Sequence, residues 1–116
     1  MQPDAPALIW DAHRAARLVR EFITGRGAVE YESDAMLRSA VERQFEIVGE
    51  ALNKLSKADP ETAAQVPDLP RLVAFRNILI HGYATIDSAI VWEFATSKVD
   101  GLIAALDGML EDVQRP

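Results

Sequence analysis

The sequence contains no cysteine, which excludes disulfides, thiolate nucleophiles and cysteine-based metal sites together. It also lacks any apolar run close to the ~18 residues that a membrane-spanning helix needs. The first residues, 1–8, have neither the basic region nor the apolar region of a signal peptide. We therefore expect a cytoplasmic protein with no membrane association, stabilised by packing, by helix ends and by a partner subunit.

Basic residues are scarce relative to acidic ones. The 12 Lys and Arg against 18 Asp and Glu give a formal net charge of -6. A surface that grips a long phosphate backbone is disfavoured, because such binding depends on many Lys and Arg contacts. A local cationic pocket remains compatible with this composition. The carboxylates are spread along the chain, a pattern typical of solvated helix faces.

The remaining composition is that of an ordinary globular protein. Of the 116 residues, 49% are hydrophobic and 26% are charged, which is far from the composition of a disordered chain. This length suits one domain and is short for two domains joined by a linker. We predict a single domain over residues 1–116.

In the first half of the chain, apolar residues recur at alternating spacings of three and four, which places them on one face of a helix. The first such stripe predicts a helix from Ala5 to about Thr24, ended by Gly25. A loop should follow as far as Ser33. A second, longer helix then begins, with Ser33 or Asp34 as its N-cap.

In the second half, Pro60 and Pro67 predict a loop or short turn over residues 57–69, because proline lacks the amide and the free φ that a helix interior needs. Asp68 can cap a third helix that Gly82 ends. Asp87 or Ser88 can begin a last helix, whose apolar stripe is Trp92, Ala95, Val99, Leu102, Leu106 and Met109.

No strand is predicted. The isoleucines of residues 75–81 favour a strand locally, but the sequence has no second alternating segment to pair with it. Four amphipathic helices with mostly short connections predict an all-α, antiparallel helical bundle, with room for a short fifth helix.

One helix end departs from plain bundle patterning, since it carries Arg76, Asn77, His81 and Tyr83. On a helix, Asn77 and His81 stand one turn apart, while Arg76 and Tyr83 share an adjoining face. Histidine can move a proton near neutral pH, and a guanidinium can hold a phosphate and its developing charge. These groups could cleave RNA without a metal or other cofactor. The 2′-hydroxyl would attack, His81 would act as base or acid, Arg76 would stabilise the phosphorane and Asn77 would orient either group.

A purely structural interpretation of the same residues is also open, and spacing alone favours it. Arg76 could pair with a carboxylate of the second helix, Glu46 or Glu50. His81 would then interact with the C-terminus of its own helix and the Tyr83 ring would pack.

Other candidates are weaker. Glu46 and Glu50 are spaced like the paired carboxylates of metal-binding bundles, but the Glu-x-x-His motif of di-iron sites is absent. A supporting or Arg-pairing role suits them better than metal binding. His13 has no companion histidine or cysteine nearby, so we assign it a structural role.

The sequence resembles the HepT toxins of the HEPN class. Its Arg76, four residues, His81, one residue and Tyr83 reproduce the family's Arg-x-x-x-x-His-x-Tyr motif, and Asn77 fits the polar residue that usually follows the arginine. The segments 47–56 and 86–92 also look like the corresponding HepT segments, so the resemblance covers nearly the whole chain.

The resemblance implies a HEPN-like homodimer that acts as a metal-independent endoribonuclease toxin, with the motifs of two subunits facing one another across a cleft. It also implies a cognate antitoxin, an MntA-like minimal nucleotidyltransferase that transfers AMP to the motif tyrosine, here Tyr83. Such a group would place a charged phosphodiester and a nucleoside beside Arg76, where an RNA phosphate would lie. The alternative is a catalytically silent HEPN dimer that binds a nucleotidyltransferase or nucleic acid.

Overall fold

The computed structural model describes residues 1–82 and 86–114, which form seven helices and no strand. This confirms the predicted all-α fold. The helices are α1 (Ala5–Ile23), α2 (Ala28–Ser33), α3 (Ala35–Ala58), α4 (Pro60–Ala63), α5 (Leu69–His81), α6 (Ser88–Ser97) and α7 (Val99–Gln114).

The two longest helices are those that the apolar periodicity predicted best. Helix α1 ends at Ile23, one residue before the predicted end, and buries the side that carries Ile9, Ala12 and Val19. Helix α3 begins after Asp34, whose side chain accepts a hydrogen bond from the Leu37 amide at 3.0 Å. Helix α3 packs between α1 and α5, and α7 packs on the other side of α1. One connected cluster of buried apolar side chains joins α1, α3, α5, α6 and α7.

The predicted loop before α3 is wrong, because residues 28–33 form the short helix α2. Gly27 is extended at its start, and Tyr31 is buried within it. The Tyr31 ring lies 5.3 Å from the Trp92 ring of α6. This packing partner is distant in sequence, so local periodicity could not reveal the helix.

The predicted last helix is divided in two at Lys98. The apolar stripe continues across the division, which explains why the sequence pattern did not show it. Just before the division, Thr96 Oγ1 donates to the Trp92 carbonyl at 2.9 Å and Ser97 Oγ to the Glu93 carbonyl at 2.7 Å. Such bonds to the preceding turn compete with the backbone ladder and bend helices. Of the two predicted starting residues, Asp87 caps α6, and its side chain accepts a hydrogen bond from the Ala89 amide.

Within the predicted loop or short turn of residues 57–69, the structure contains the one-turn helix α4, which is capped by Asp59. Helix α5 then runs from Leu69 to its predicted end at Gly82. Asp68 stands at the predicted cap position, but its side chain makes no capping hydrogen bond. Its backbone is left-handed, with φ of 60°, and its carboxylate lies 3.9 Å from Arg71 Nη1. Asp68 therefore stands where the cap was predicted, but the predicted capping by its side chain is wrong.

Among the residues described, no helix is both long enough and apolar enough to cross a lipid bilayer.

Candidate functional site

The crossing of α3 and α5 places Arg76. A Cβ atom added to Gly49 of α3 would lie 2.2 Å from Arg76 Cβ and 3.0 Å from the Leu72 carbonyl oxygen of α5. Any larger residue at this position would push the two helices apart. Gly49 therefore lets the backbone of α5 approach α3 closely, and this approach brings the base of the Arg76 side chain against α3.

Two neighbours orient the Arg76 guanidinium. Its Nη2 donates to Glu50 Oε2 at 2.5 Å, and its Nη1 donates to Asn77 Oδ1 at 2.9 Å. Charge-assisted bonds of this kind are stronger than neutral ones and fix the direction of the side chain. The Arg76 side chain keeps 23% of its surface exposed, so an anion can still reach it. The two predicted carboxylates thus differ, since Glu50 contacts Arg76 whereas Glu46 pairs with Arg43 at 3.0 Å.

His81 occupies the last turn of α5 and is exposed. It forms no hydrogen bond or ion pair with any residue of the described ranges. Asn77, one turn earlier, is exposed on the same side of the helix. Arg76 and His81, in contrast, are about 7.5 Å apart along the axis and about 140° apart around it. Within one chain the two groups therefore face different directions.

The structure thus brings Arg76, Asn77 and Glu50 together and leaves His81 beside them without contact. Tyr83, the predicted modification site, lies outside the described residues. Glu46 is one turn from Glu50 on α3 and lines the same depression, without contacting Arg76.

That depression, of about 350 Å³, opens between α1 and α3 next to Arg76. Arg43 and Lys54 lie along it with Arg76, opposed by the carboxylates of Asp11, Glu46 and Glu50. Lys54 Nζ also approaches Glu50 Oε1 at 3.6 Å. Glu50 is therefore shared between two cations, Arg76 and Lys54, and the charged groups that line the depression balance one another. No group of three or more metal-ligating side chains occurs in the described ranges.

Sequence reasoning assigned no role to Gly49, although the residue was visible inside the resemblance. A glycine in a strongly periodic helix costs stability relative to alanine and so indicates a packing or functional reason. That signal could have identified Gly49 as the point of closest approach between the helices.

His13 has the structural role that the sequence predicted. It is 6% exposed, and its Nε2 lies 2.5 Å from Asp107 Oδ1 of α7. The pair links α1 to α7 away from Arg76.

Comparisons with known proteins show the family to which the chain belongs. The model of the family Ribonuclease HepT-like matches residues 12–109. A protein of Methanocaldococcus jannaschii named "Putative RNase MJ1380" is 34% identical over 96 residues, covering 83% of this chain and 87% of that protein. "Putative RNase MJ0127" of the same organism is 26% identical over 111 residues, covering 96% and 91%. "Putative RNase TTE0752" of Caldanaerobacter subterraneus is 30% identical over 82 residues, covering 71% and 72%. No solved structure matches the chain.

Proposed function

Because the chain belongs to the family of HepT-like ribonucleases, we propose that it is a metal-independent endoribonuclease that uses Arg76 and His81. The observation that carries the proposal is the Arg76 guanidinium, held by Glu50 and Asn77 yet open on one side, on the same helix as the exposed His81. A fixed cation and a proton carrier are the groups that phosphodiester cleavage by a neighbouring hydroxyl requires.

In the proposed reaction, the 2′-hydroxyl oxygen forms a bond to phosphorus while the bond from phosphorus to the 5′-oxygen breaks. One imidazole accepts the proton of the 2′-hydroxyl and one donates a proton to the leaving 5′-oxygen. Arg76 neutralises the charge that grows on the non-bridging oxygens of the phosphorane. The products are a 2′,3′-cyclic phosphate end and a 5′-hydroxyl end.

A homodimer would solve the geometric problem that Arg76 and His81 of one chain face different directions. Two chains meeting at the ends of α5 could present both side chains of each to one cleft. The exposed apolar residues of α5 support such a partner, since Ile78 is 54% and Ile80 is 38% exposed while Leu72 and Leu79 are buried on another side. A helix that is apolar on several sides is usually covered on all of them.

We further propose that the chain is the toxin of a toxin–antitoxin module and that an MntA-like nucleotidyltransferase silences it at Tyr83. The tyrosine oxygen would attack the α-phosphorus of ATP and release pyrophosphate, leaving AMP on the phenol. Tyr83 follows His81 by two residues, so the added phosphodiester would compete with RNA for Arg76.

Intact mass and cleavage, measured on the same protein samples, test the proposal. The chain is purified after expression alone and after expression with a cognate minimal nucleotidyltransferase, and each sample is incubated with total RNA and a metal chelator. We expect an AMP-sized mass gain in the second sample only, absent from Tyr83→Phe, and cleavage by the unmodified sample only.

His81→Ala is the matched control, because His81 is exposed and forms no bond whose loss would disturb the fold. Cleavage that persists in His81→Ala would come from a contaminant and would contradict the proposal. If the verified unmodified chain binds RNA or the nucleotidyltransferase without cutting, the chain is the silent binding module instead.

A further inference from the structure

The depression beside Arg76 is one end of a longer cleft that begins between α1 and α3 and continues along the exposed side of α1. It shares Asp11 and Ile47 with a second depression of about 260 Å³, which in turn shares Arg14 and Leu18 with a third of about 160 Å³. The third depression is lined by α1 alone and includes Trp10 and Glu21. From Leu8 to Glu21 the cleft follows about 20 Å of helix at 1.5 Å per residue.

Two arginines along this cleft have no ionic partner. Arg14 and Arg17 are exposed and form no ion pair with any residue of the described ranges. Most other arginines of these ranges do pair with carboxylates, namely Arg20, Arg26, Arg43, Arg71 and Arg76. In an acidic chain, where carboxylates are plentiful, two adjacent arginines without partners are the exception.

The charge along the cleft therefore differs from that of the molecule. Its lining includes five cations and four carboxylates, whereas the chain carries a formal net charge of -6. A concave strip that is positive within a negative surface concentrates an anionic strand there. Asp11 and Glu21 are the opposing charges on α1 that such a strand has to pass.

Trp10 adds a flat apolar surface at the third depression. The Trp10 side chain is 52% exposed. Among the described residues its ring contacts only the His13 ring, at 6.1 Å between ring centroids. The hydrophobic core does not require an indole at position 10, because the outer half of the Trp10 side chain packs against nothing in the described ranges. Exposed aromatic rings next to cations are the elements on which unpaired bases stack in single-strand binding proteins.

We infer that this cleft, which runs from Arg76 along α1 to Trp10, binds the single-stranded RNA that flanks the scissile phosphate. Arg14 and Arg17 contact successive phosphates, and a base stacks on Trp10. This inference rests on the proposed ribonuclease function, which it extends from the reacting phosphate to the strand beside it. A paired strand is excluded as the preferred ligand, because its bases are already stacked and cannot open onto Trp10.

Binding of a labelled single-stranded oligoribonucleotide tests the inference, measured by fluorescence anisotropy in the full-length His81→Ala protein at several salt concentrations. Trp10→Ala should weaken binding roughly 5- to 150-fold, the range for losing one base stack, and Trp10→Phe should keep most of the affinity. Arg14→Ala and Arg17→Ala should each reduce the slope of log affinity against log salt by ~0.7, one phosphate contact on a single strand.

Lys98→Ala is the matched control, because Lys98 is an exposed cation outside the cleft that has no ionic partner in the described ranges. It should leave both affinity and slope unchanged. The inference is overturned if Trp10→Ala binds like its parent, or if the arginine variants lose no more than Lys98→Ala. It is also overturned if the variants change the sedimentation of the protein and not its RNA affinity, since the cleft would then bind another copy of the chain.

The two proposals fail separately. Cleavage by the wild-type protein, together with unchanged RNA binding by the Trp10 and Arg14 variants, would refute RNA binding in the cleft and support the ribonuclease function. Loss of RNA binding in those variants, together with no cleavage by the wild-type protein, would refute the ribonuclease function. The cleft would then be the RNA-binding site of a catalytically silent protein.

Discussion

Replacing Gly49 with alanine should destabilise the protein, although alanine is the better helix former. The added methyl carbon would lie 2.2 Å from Arg76 Cβ and 2.8 Å from Arg76 Cγ, well inside the 3.5–4.0 Å of an ordinary carbon contact. It would also meet the Leu72 carbonyl oxygen at 3.0 Å. None of these atoms is the end of a flexible side chain, so α5 itself must move.

The expected magnitude follows from two opposing effects. Alanine in place of glycine gains ~1 kcal/mol of helix propensity. Forcing a methyl group into a closely packed contact costs up to ~3 kcal/mol. A net loss of about 2 kcal/mol in the free energy of unfolding should result, because the clash involves Cβ and backbone atoms. Urea unfolding followed by circular dichroism, at one protein concentration, measures it.

Gly108→Ala provides the matched control. Gly108 lies in α7, and an added Cβ there would meet no atom within 4 Å. This variant should be more stable than wild type by up to ~1 kcal/mol. If Gly49→Ala is stabilised as much as Gly108→Ala, the close approach of α3 and α5 is refuted. Because the same contact positions Arg76, Gly49→Ala should also lower RNA cleavage under conditions where it remains folded.

Three further changes have defined outcomes. Glu50→Ala should lower the kcat of RNA cleavage more than Glu50→Gln, since only the amide can still accept a hydrogen bond from Arg76, and equal kcat values would contradict this positioning role. Hydrogen bonds from the Thr62 hydroxyl and from the Gln2 amide hold the pKa of Asp59 below its usual value, so the unfolded chain takes up this proton more readily. Stability from Asp59 is therefore present at neutral pH and is lost as the pH falls through and below the usual pKa of an aspartate, and Asp59→Asn should remove part of that fall in acid urea titrations. Tyr31→Phe should be neutral or stabilising in thermal unfolding, because the buried Tyr31 hydroxyl has no hydrogen-bond partner among the described residues, and a loss above ~1 kcal/mol would indicate one.

The long helices could be predicted because their apolar stripes were unbroken. In α3, the apolar stripe from Leu37 to Leu55 and the Asp34 cap lie within one continuous segment, so local sequence is enough to predict the helix. Helix α2 could not be predicted in this way, because its stability depends on Tyr31 packing against Trp92 from the other end of the chain. The division at Lys98 was missed because the stripe runs through it, and the hydroxyl bonds of Thr96 and Ser97 leave no trace in apolar periodicity.

For the candidate site, the sequence could name residues but could not choose their contacts. The sequence singled out Arg76, Asn77 and His81 and offered Glu46 and Glu50 as alternative carboxylates for the arginine. Spacing alone could not choose between residues one turn apart on α3. The choice depends on where α5 crosses α3, and only the packed structure shows that crossing.

Cleavage of RNA by mass-verified, unmodified protein, compared with His81→Ala and Arg76→Ala in the presence of a metal chelator, tests the central claim most directly. The account predicts cleavage by the wild-type protein alone, with 2′,3′-cyclic phosphate and 5′-hydroxyl ends identified by mass spectrometry of the products. Absence of cleavage by the unmodified wild-type protein, or equal cleavage by all three proteins, would contradict it.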